Sequence, residues 1–353
     1  MDRVAPVLLG FVLSAALVVG AGTVLARNGD VIAARTRMGG VWIGSIFLAA
    51  ATSLPELTTD ISAVRMGVPD LAVGDLFGSS MANMLILGIV SLGPGADLFK
   101  RAALDNALLI AMAVLATAVA AAALLVQPEP ALLGLGPGPL VLFILYLGGT
   151  RLLYQQTTVM RAATAEVEMG AADPAATVPP RPAAPEPAGP HDGAPSLRRA
   201  SLMFAGAALV ILFAGPLFAH SASALAEITG LEASFVGTWL VGFSTSLPEL
   251  VTSLAAVRLG AFDLAVGNLY GSNAFNMALL LPLDVADGGG ALLASVAPVH
   301  ALSALVAIVM MAIGLAAVVY RARGRLSLLE PSSGLMILAY VVGLALIFAG
   351  STG

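Results

Sequence analysis

The sequence predicts an all-α membrane protein with about ten transmembrane helices, arranged as two inverted-topology five-helix repeats. Three observations lead there. Of the 353 residues, 59% are hydrophobic and only 10% charged, where a soluble domain has about a quarter charged. Apolar runs of about 20 residues, long enough to cross a bilayer as helices, recur along the chain. One stretch also occurs twice: ATSLPELTTDISAVRMGVPDLAVGDLFGSSMANMLIL (51–87) returns as STSLPELVTSLAAVRLGAFDLAVGNLYGSNAFNMALL (244–280), 193 residues later and without a gap.

The spans are expected at residues 4–25, 38–66, 71–92, 104–126 and 131–153 in the first half. In the second half they are expected at 200–225, 233–259, 263–283, 296–320 and 333–349. The nearly neutral start of the first span (Asp2, Arg3) argues against a signal peptide. Between the halves, residues 155–197 are dense in Pro and Ala with scattered charge, a composition that buries too little apolar surface to order itself. The organisation is therefore a first half at 1–154, a disordered cytoplasmic linker at 155–197 and a second half at 198–353.

Positive charge orients the chain. With the N-terminus outside, 14 of the 16 Lys and Arg fall in inside loops, leaving only Arg3 and Arg65 outside. The positive-inside rule then places both termini outside and the linker in the cytoplasm. The repeats sit five spans apart, so the second enters the membrane from the opposite side. Secondary transporters with inverted repeats carry their sites near the midplane, where the halves meet.

Both repeats bury a Thr-Ser-Leu-Pro-Glu cluster in an apolar span. Pro55 and Pro248 remove a backbone N–H and obstruct the helix before them. At membrane depth this is tolerated in a protein interior or beside a water-filled cavity. Glu56 and Glu249 are costly there, and ionisable residues in spans usually mark ion or proton pathways. Converging, they would supply a charge of about −2, matching one divalent or two monovalent cations. Thr52, Ser53, Thr245 and Ser246 precede the glutamates by three or four residues, on the same helix face. Ser79 with Asn83, and Ser272 with Asn276, add neutral oxygens from the next span. This hard, all-oxygen set suits Ca²⁺ or Mg²⁺ better than zinc or copper. Gly40, Gly44, Gly74, Gly78, Gly267 and Gly271 read as close-packing positions. Met84 and Met277 read as core filler, and Asp70 and Asp263 as caps or interfacial charges at the starts of spans.

Other classes lack their signatures. The net charge is −5 with no basic stripe for nucleic acid, there is no cysteine, and the three histidines are scattered. No phosphate loop, nucleophile–base pair or cofactor motif is present, so the chain reads as neither an enzyme nor a cofactor protein. Its expected partners are membrane lipid and inorganic cations.

The paired TSLPEL…GS(S/N)xxN blocks resemble the two alpha repeats of the sodium/calcium exchanger family, within the cation/calcium exchanger superfamily. That resemblance implies an antiporter of the cell or inner membrane, driven by sodium and extruding Ca²⁺. Carried over by motif, Glu56 and Glu249 are central Ca²⁺ ligands, and Thr52, Ser53, Thr245 and Ser246 serve Na⁺ and Ca²⁺. Ser79, Asn83, Ser272 and Asn276 complete the cavity, with backbone carbonyls near Ala49 and Gly242. The first repeat departs from the family pattern at Ala51, Asp75 and Ser80, and both closing positions carry Asn where some members have Asp. Asp60 and Asp75 are further candidate ligands; Asp60, whose mate is Ser253, either compensates for the absent carboxylate or lines the entrance. Exchange of Ca²⁺ for H⁺, with a glutamate carrying the proton, is the alternative. A cation-binding channel or regulatory membrane protein is a third reading, disfavoured because channels commonly use rings from several subunits.

Overall fold

The structure, a computed structural model, describes residues 4–36, 38, 40–92, 98–102, 106–126, 135–170, 195–229, 243–288, 292–320 and 331–351. The first half comprises α1 (Val4–Thr36), α2 (Gly40–Thr52), α3 (Leu54–Arg65), α4 (Pro69–Ser91), α5 (Asn106–Val126) and α6 (Pro137–Gly170). The second comprises α7 (Leu197–Thr229), α8 (Leu247–Arg258), α9 (Phe262–Asp287), α10 (His300–Tyr320) and α11 (Pro331–Ser351). Among the described residues seven helices are long and apolar enough to cross a membrane, and the bent pair α2–α3 makes an eighth. The start of the expected span 233–259 lies outside the described residues; α8 is its second part.

The two-half design extends beyond the repeated motif. Leu197 and Thr229, the ends of α7, each stand 193 residues after Val4 and Thr36, the ends of α1. Helices α3 and α8 keep the same offset. At 33 residues each, α1 and α7 are about 50 Å long, well beyond a hydrocarbon core of about 30 Å. The expected limits of 25 and 225 fell short because the apolar signal stops before the helix does: Arg27, Asn28, Asp30 and Arg35 continue α1. Likewise α6 runs to Gly170, so residues 155–170 of the expected linker are helical. Their sequence, QQTTVMRAATAEVEMG, contains several good helix formers. The rest of that expectation, residues 171–194, lies outside the described residues.

The largest departure is in the second span, expected to be one helix. Residues 43–48 form a π-helix, and the chain breaks at Ser53 (φ −88°, ψ 8°). The two pieces meet at 42°. Pro55 accordingly sits in the first turn of a new helix, where its missing N–H costs nothing. The second repeat breaks the same way at Ser246 (φ −79°, ψ 4°), with Pro248 in the first turn of α8.

After each broken span the chain reverses through a glycine with φ near 77°, Gly67 and Gly260. The Val68 N–H returns to the Ala63 carbonyl (3.0 Å) and the Ala261 N–H to the Ala256 carbonyl (2.9 Å), closing matched left-handed caps. Helix α4 is buried along most of its length and is surrounded by protein. By contrast α1, α7 and α11 turn Leu9, Leu13, Phe213 and Val341 outward, each more than half exposed. Apolar side chains on the outside suit lipid as solvent.

Glycines let the halves approach closely. A Cβ on Gly267 would stand 2.9 Å from the Val41 carbonyl, and one on Gly271 would run into the Ser45 backbone. Helix α9 thus lies directly against α2. Gly22 of α1 faces Val251, while Gly215 of α7, 193 residues later, faces the Pro55 ring. Each outer helix rests on the broken span of the opposite half. Met84 and Met277 are fully buried in the apolar core, as expected.

Candidate cation site between the repeats

The breaks at Ser53 and Ser246 end one helix and start another deep in the protein. Glu56 and Glu249 occupy the first turns of α3 and α8. A helix N-terminus favours a carboxylate, and the C-terminal end of α2 presents partial negative charge toward cations. Broken helices of this kind build ion sites in membrane transporters.

All ten expected ligands are buried. Thr52, Ser53, Glu56, Ser79, Asn83, Thr245, Ser246, Glu249, Ser272 and Asn276 are each 0% exposed, and Asp60 and Asp75 are each 1%. Ser53 Oγ donates to Glu249 Oε1 at 3.2 Å, and Ser272 Oγ donates to the same oxygen at 3.4 Å. Thr52 Oγ1 reaches Asn268 Oδ1 (3.3 Å), and Thr245 Oγ1 reaches Asp75 Oδ1 (3.3 Å) and Ser79 Oγ (3.4 Å). Glu56 is within electrostatic reach of Glu249, Asp75 and Asp60. The cluster is one buried polar network built from both halves.

Regular helical spacing places each hydroxyl beside the glutamate of its own repeat. The structure corrects this for Ser53: the break turns it across to Glu249. The Ala49 carbonyl already accepts Ser53 N–H (2.9 Å) and Thr52 Oγ1 (3.2 Å), while Gly242 lies outside the described residues. Asp70 and Asp263 stand in the first turns of α4 and α9, where the helix N-terminus favours a carboxylate, and each also reaches another helix. Asp70 Oδ1 accepts the Ala297 N–H (2.7 Å) and lies 3.0 Å from His300 Nε2, while Asp263 Oδ1 accepts Asn106 Nδ2 (2.8 Å).

Four polar residues joined the network without being expected. Asn268 Nδ2 donates to Thr252 Oγ1 (2.9 Å) and Ser253 Oγ (3.1 Å), and Asn83 Nδ2 donates to Asn273 Oδ1 (2.9 Å). Thr252 and Ser253 follow Glu249 by three and four residues. The helical spacing rule applied forward as well as backward would have found them.

The chemistry lies in what remains unpaired. Both oxygens of Glu56, Oε2 of Glu249, Oδ2 of Asp60 and Asp75, Oδ1 of Asn83 and Asn276, and Oγ of Ser246 are buried without a partner. Each buried orphan acceptor costs about 1–3 kcal/mol, more if charged. Such a concentration of oxygen acceptors is the chemistry a hard cation requires. Among the described residues no three His, Cys, Asp or Glu are grouped to hold a metal by themselves. The donor set is therefore mixed: carboxylates with hydroxyl and amide oxygens, as hard cations prefer.

A family model described as "Sodium/calcium exchanger protein" matches residues 6–150 and 199–349, most of both halves. The chain belongs to the sodium/calcium exchanger family. This is a family of exchangers, which are transporters. This exchanger-family chain is 27% identical over 247 residues to the inner membrane protein YrbG of Escherichia coli (strain K12), covering 68% of this chain and 67% of that one. It is 38% identical to the sodium/calcium exchanger MaX1 of Methanosarcina acetivorans over 94 residues, 25% of this chain and 26% of that one. Its fold is that of the sodium-calcium exchanger NCX_Mj, with a TM-score of 0.69 at 20% identity, covering 97% of this chain and 99% of that chain. As an exchanger of this family it is a multi-pass membrane protein that moves inorganic cations.

Proposed function

We propose that the chain exchanges Na⁺ for Ca²⁺ by alternating access, with Glu56 and Glu249 as the central calcium ligands. The observation that carries this reading is the set of buried acceptors without donors, led by both Glu56 oxygens and Glu249 Oε2. Ca²⁺ stripped of water needs several oxygens and compensating negative charge. Two carboxylates from opposite halves supply the charge, and Thr52, Ser53, Ser79, Asn83, Thr245, Ser246, Ser272 and Asn276 supply neutral oxygens. The same hydroxyls and amides hold Na⁺ when calcium leaves. Because each half contributes one carboxylate, rocking the halves apart on one face opens the site to that face alone. Both termini lie outside the cell and the central linker in the cytoplasm.

The experiment is calcium uptake into proteoliposomes under an imposed Na⁺ gradient, compared with an imposed pH gradient. Uptake driven by Na⁺ and lost in both Glu56→Gln and Glu249→Gln is the expected result. The amide is cheaper than a carboxylate in the membrane, so folded protein persists. Uptake driven only by the pH gradient would replace Na⁺ with H⁺ as the coupling ion. Near-normal uptake in either Gln variant would move the site elsewhere.

A further inference from the structure

The two halves solve the same position differently. In the second half, Asn268 Nδ2 donates to Thr252 Oγ1 at 2.9 Å and to Ser253 Oγ at 3.1 Å, satisfying a neutral pocket. The residues 193 earlier are Asp75, Thr59 and Asp60. Where Asn268 has an amide to give, Asp75 has only acceptor oxygens, and its carboxyl is within hydrogen-bonding reach of the Asp60 carboxyl. Oδ2 of Asp60, Oδ2 of Asp75 and Oγ1 of Thr59 are all buried without a partner. In the second half the amide donors of Asn268 satisfy this position internally. The first half replaces its donors with acceptors.

We infer that Asp60 and Asp75, with the Thr245 hydroxyl that donates to Asp75 Oδ1 at 3.3 Å, form an additional hard-cation subsite present in one half only. Two carboxyl groups facing each other in a dry interior either share a proton or hold a cation between them, and the unpaired oxygens around this pair favour a cation. Carboxylate and hydroxyl oxygens select Na⁺ or Ca²⁺ over softer metals. Thr245 also contacts Ser79 at 3.4 Å, so the subsite adjoins the central cluster and Glu56 feels its charge. A chain with this subsite binds one cation more than Glu56 and Glu249 alone would hold. This deepens the exchange reading and rests on it.

The test is equilibrium binding of ²²Na⁺ and, separately, ⁴⁵Ca²⁺ to the purified full-length chain in detergent. The unmodified protein is compared with Asp60→Ser/Asp75→Asn, which recreates the Ser253–Asn268 arrangement that the second half already accommodates. The single Asp75→Asn variant serves if the double one does not fold. The expected result is a loss of one bound cation per chain, and the isotope that loses it identifies the occupant. Equal cation counts in variant and unmodified protein would overturn the subsite, leaving a carboxyl pair bridged by a proton, while the exchange function stands. A chain that loses one bound cation in the variant but shows no Na⁺-driven calcium flux would sink the exchange reading instead.

Discussion

Ser53 Oγ donates to Glu249 Oε1 across 3.2 Å, from the break in one repeat to the carboxylate of the other. Neither residue reaches the other through its own helix; the contact exists only because the halves are interleaved. Removing the hydroxyl takes one donor from Oε1, which Ser272 Oγ approaches less closely, at 3.4 Å. A hydrogen bond to a charged group is worth about 1.5–3 kcal/mol, and about 1.4 kcal/mol is a factor of ten in affinity. Ser53→Ala is therefore expected to weaken calcium binding about tenfold with folding intact, measured as the free calcium giving half-maximal uptake. An unchanged value would remove Ser53 from the site.

The contact between α2 and α9 leaves no room for a side chain. A methyl on Gly271 would meet the Ser45 backbone, which cannot rotate away as a side chain can. Overpacking costs about 1–3 kcal/mol in ordinary cores, and here backbone must shift. Gly271→Ala should lower the thermal midpoint of the purified protein by several degrees. Gly20→Ala, where a Cβ meets nothing, serves as the control. Equal midpoints for the two variants would contradict the close packing.

The site's composition was legible because Glu56, Glu249 and their hydroxyls are expensive in a span and occur twice. The geometry was not. A helical reading placed Ser53 beside Glu56, and only the break at Ser53 sends it to Glu249. The apolar profile marked α1 and α7 but not their true length, since Arg27 and Asn28 interrupt hydropathy without interrupting the helix. Asn268 escaped notice because its amide donors matter only when folding brings it to Thr252 and Ser253.

Asp284 is a buried carboxylate outside the polar network of the two glutamates, at the far end of α9 and fully covered. Its Oδ2 accepts the Gly136 N–H at 2.6 Å and its Oδ1 the Leu292 N–H at 3.0 Å, tying the end of α9 to the start of α6. Ser91, 193 residues earlier, ties α4 to α11 through Ser333 Oγ at 2.6 Å. Asp284→Ala strands two backbone donors, each costing about 1–3 kcal/mol. It should reduce the yield of folded protein sharply, and Asp284→Asn should do so less. Calcium affinity of the surviving folded fraction should be normal. A folded Asp284→Ala protein with altered affinity and unchanged thermal midpoint would argue that Asp284 serves the ions instead.

The strongest asymmetry lies in the two glutamates themselves. Glu249 Oε1 accepts from Ser53 and Ser272, whereas both Glu56 oxygens and Ser246 Oγ, the mate of Ser53, are buried without partners. In a protein built from inverted repeats, exchanging the conformations of the halves turns one access state into the other. The opposite state should therefore make the Ser246–Glu56 contact and break Ser53–Glu249. Each hydroxyl then stabilises one state only. Ser53→Ala disfavours the state described here, and Ser246→Ala disfavours its mirror. A difference of about 1.4 kcal/mol shifts such an equilibrium about tenfold. The two variants should thus move the access equilibrium in opposite directions. The readout is labelling of a cysteine placed at Leu57, beside Glu56, by an impermeant thiol reagent from each membrane face; the chain has no native cysteine to compete. Shifts of opposite sign between the two serine variants are expected, and shifts of the same sign would show that the asymmetry of Glu56 and Glu249 does not follow the transport cycle.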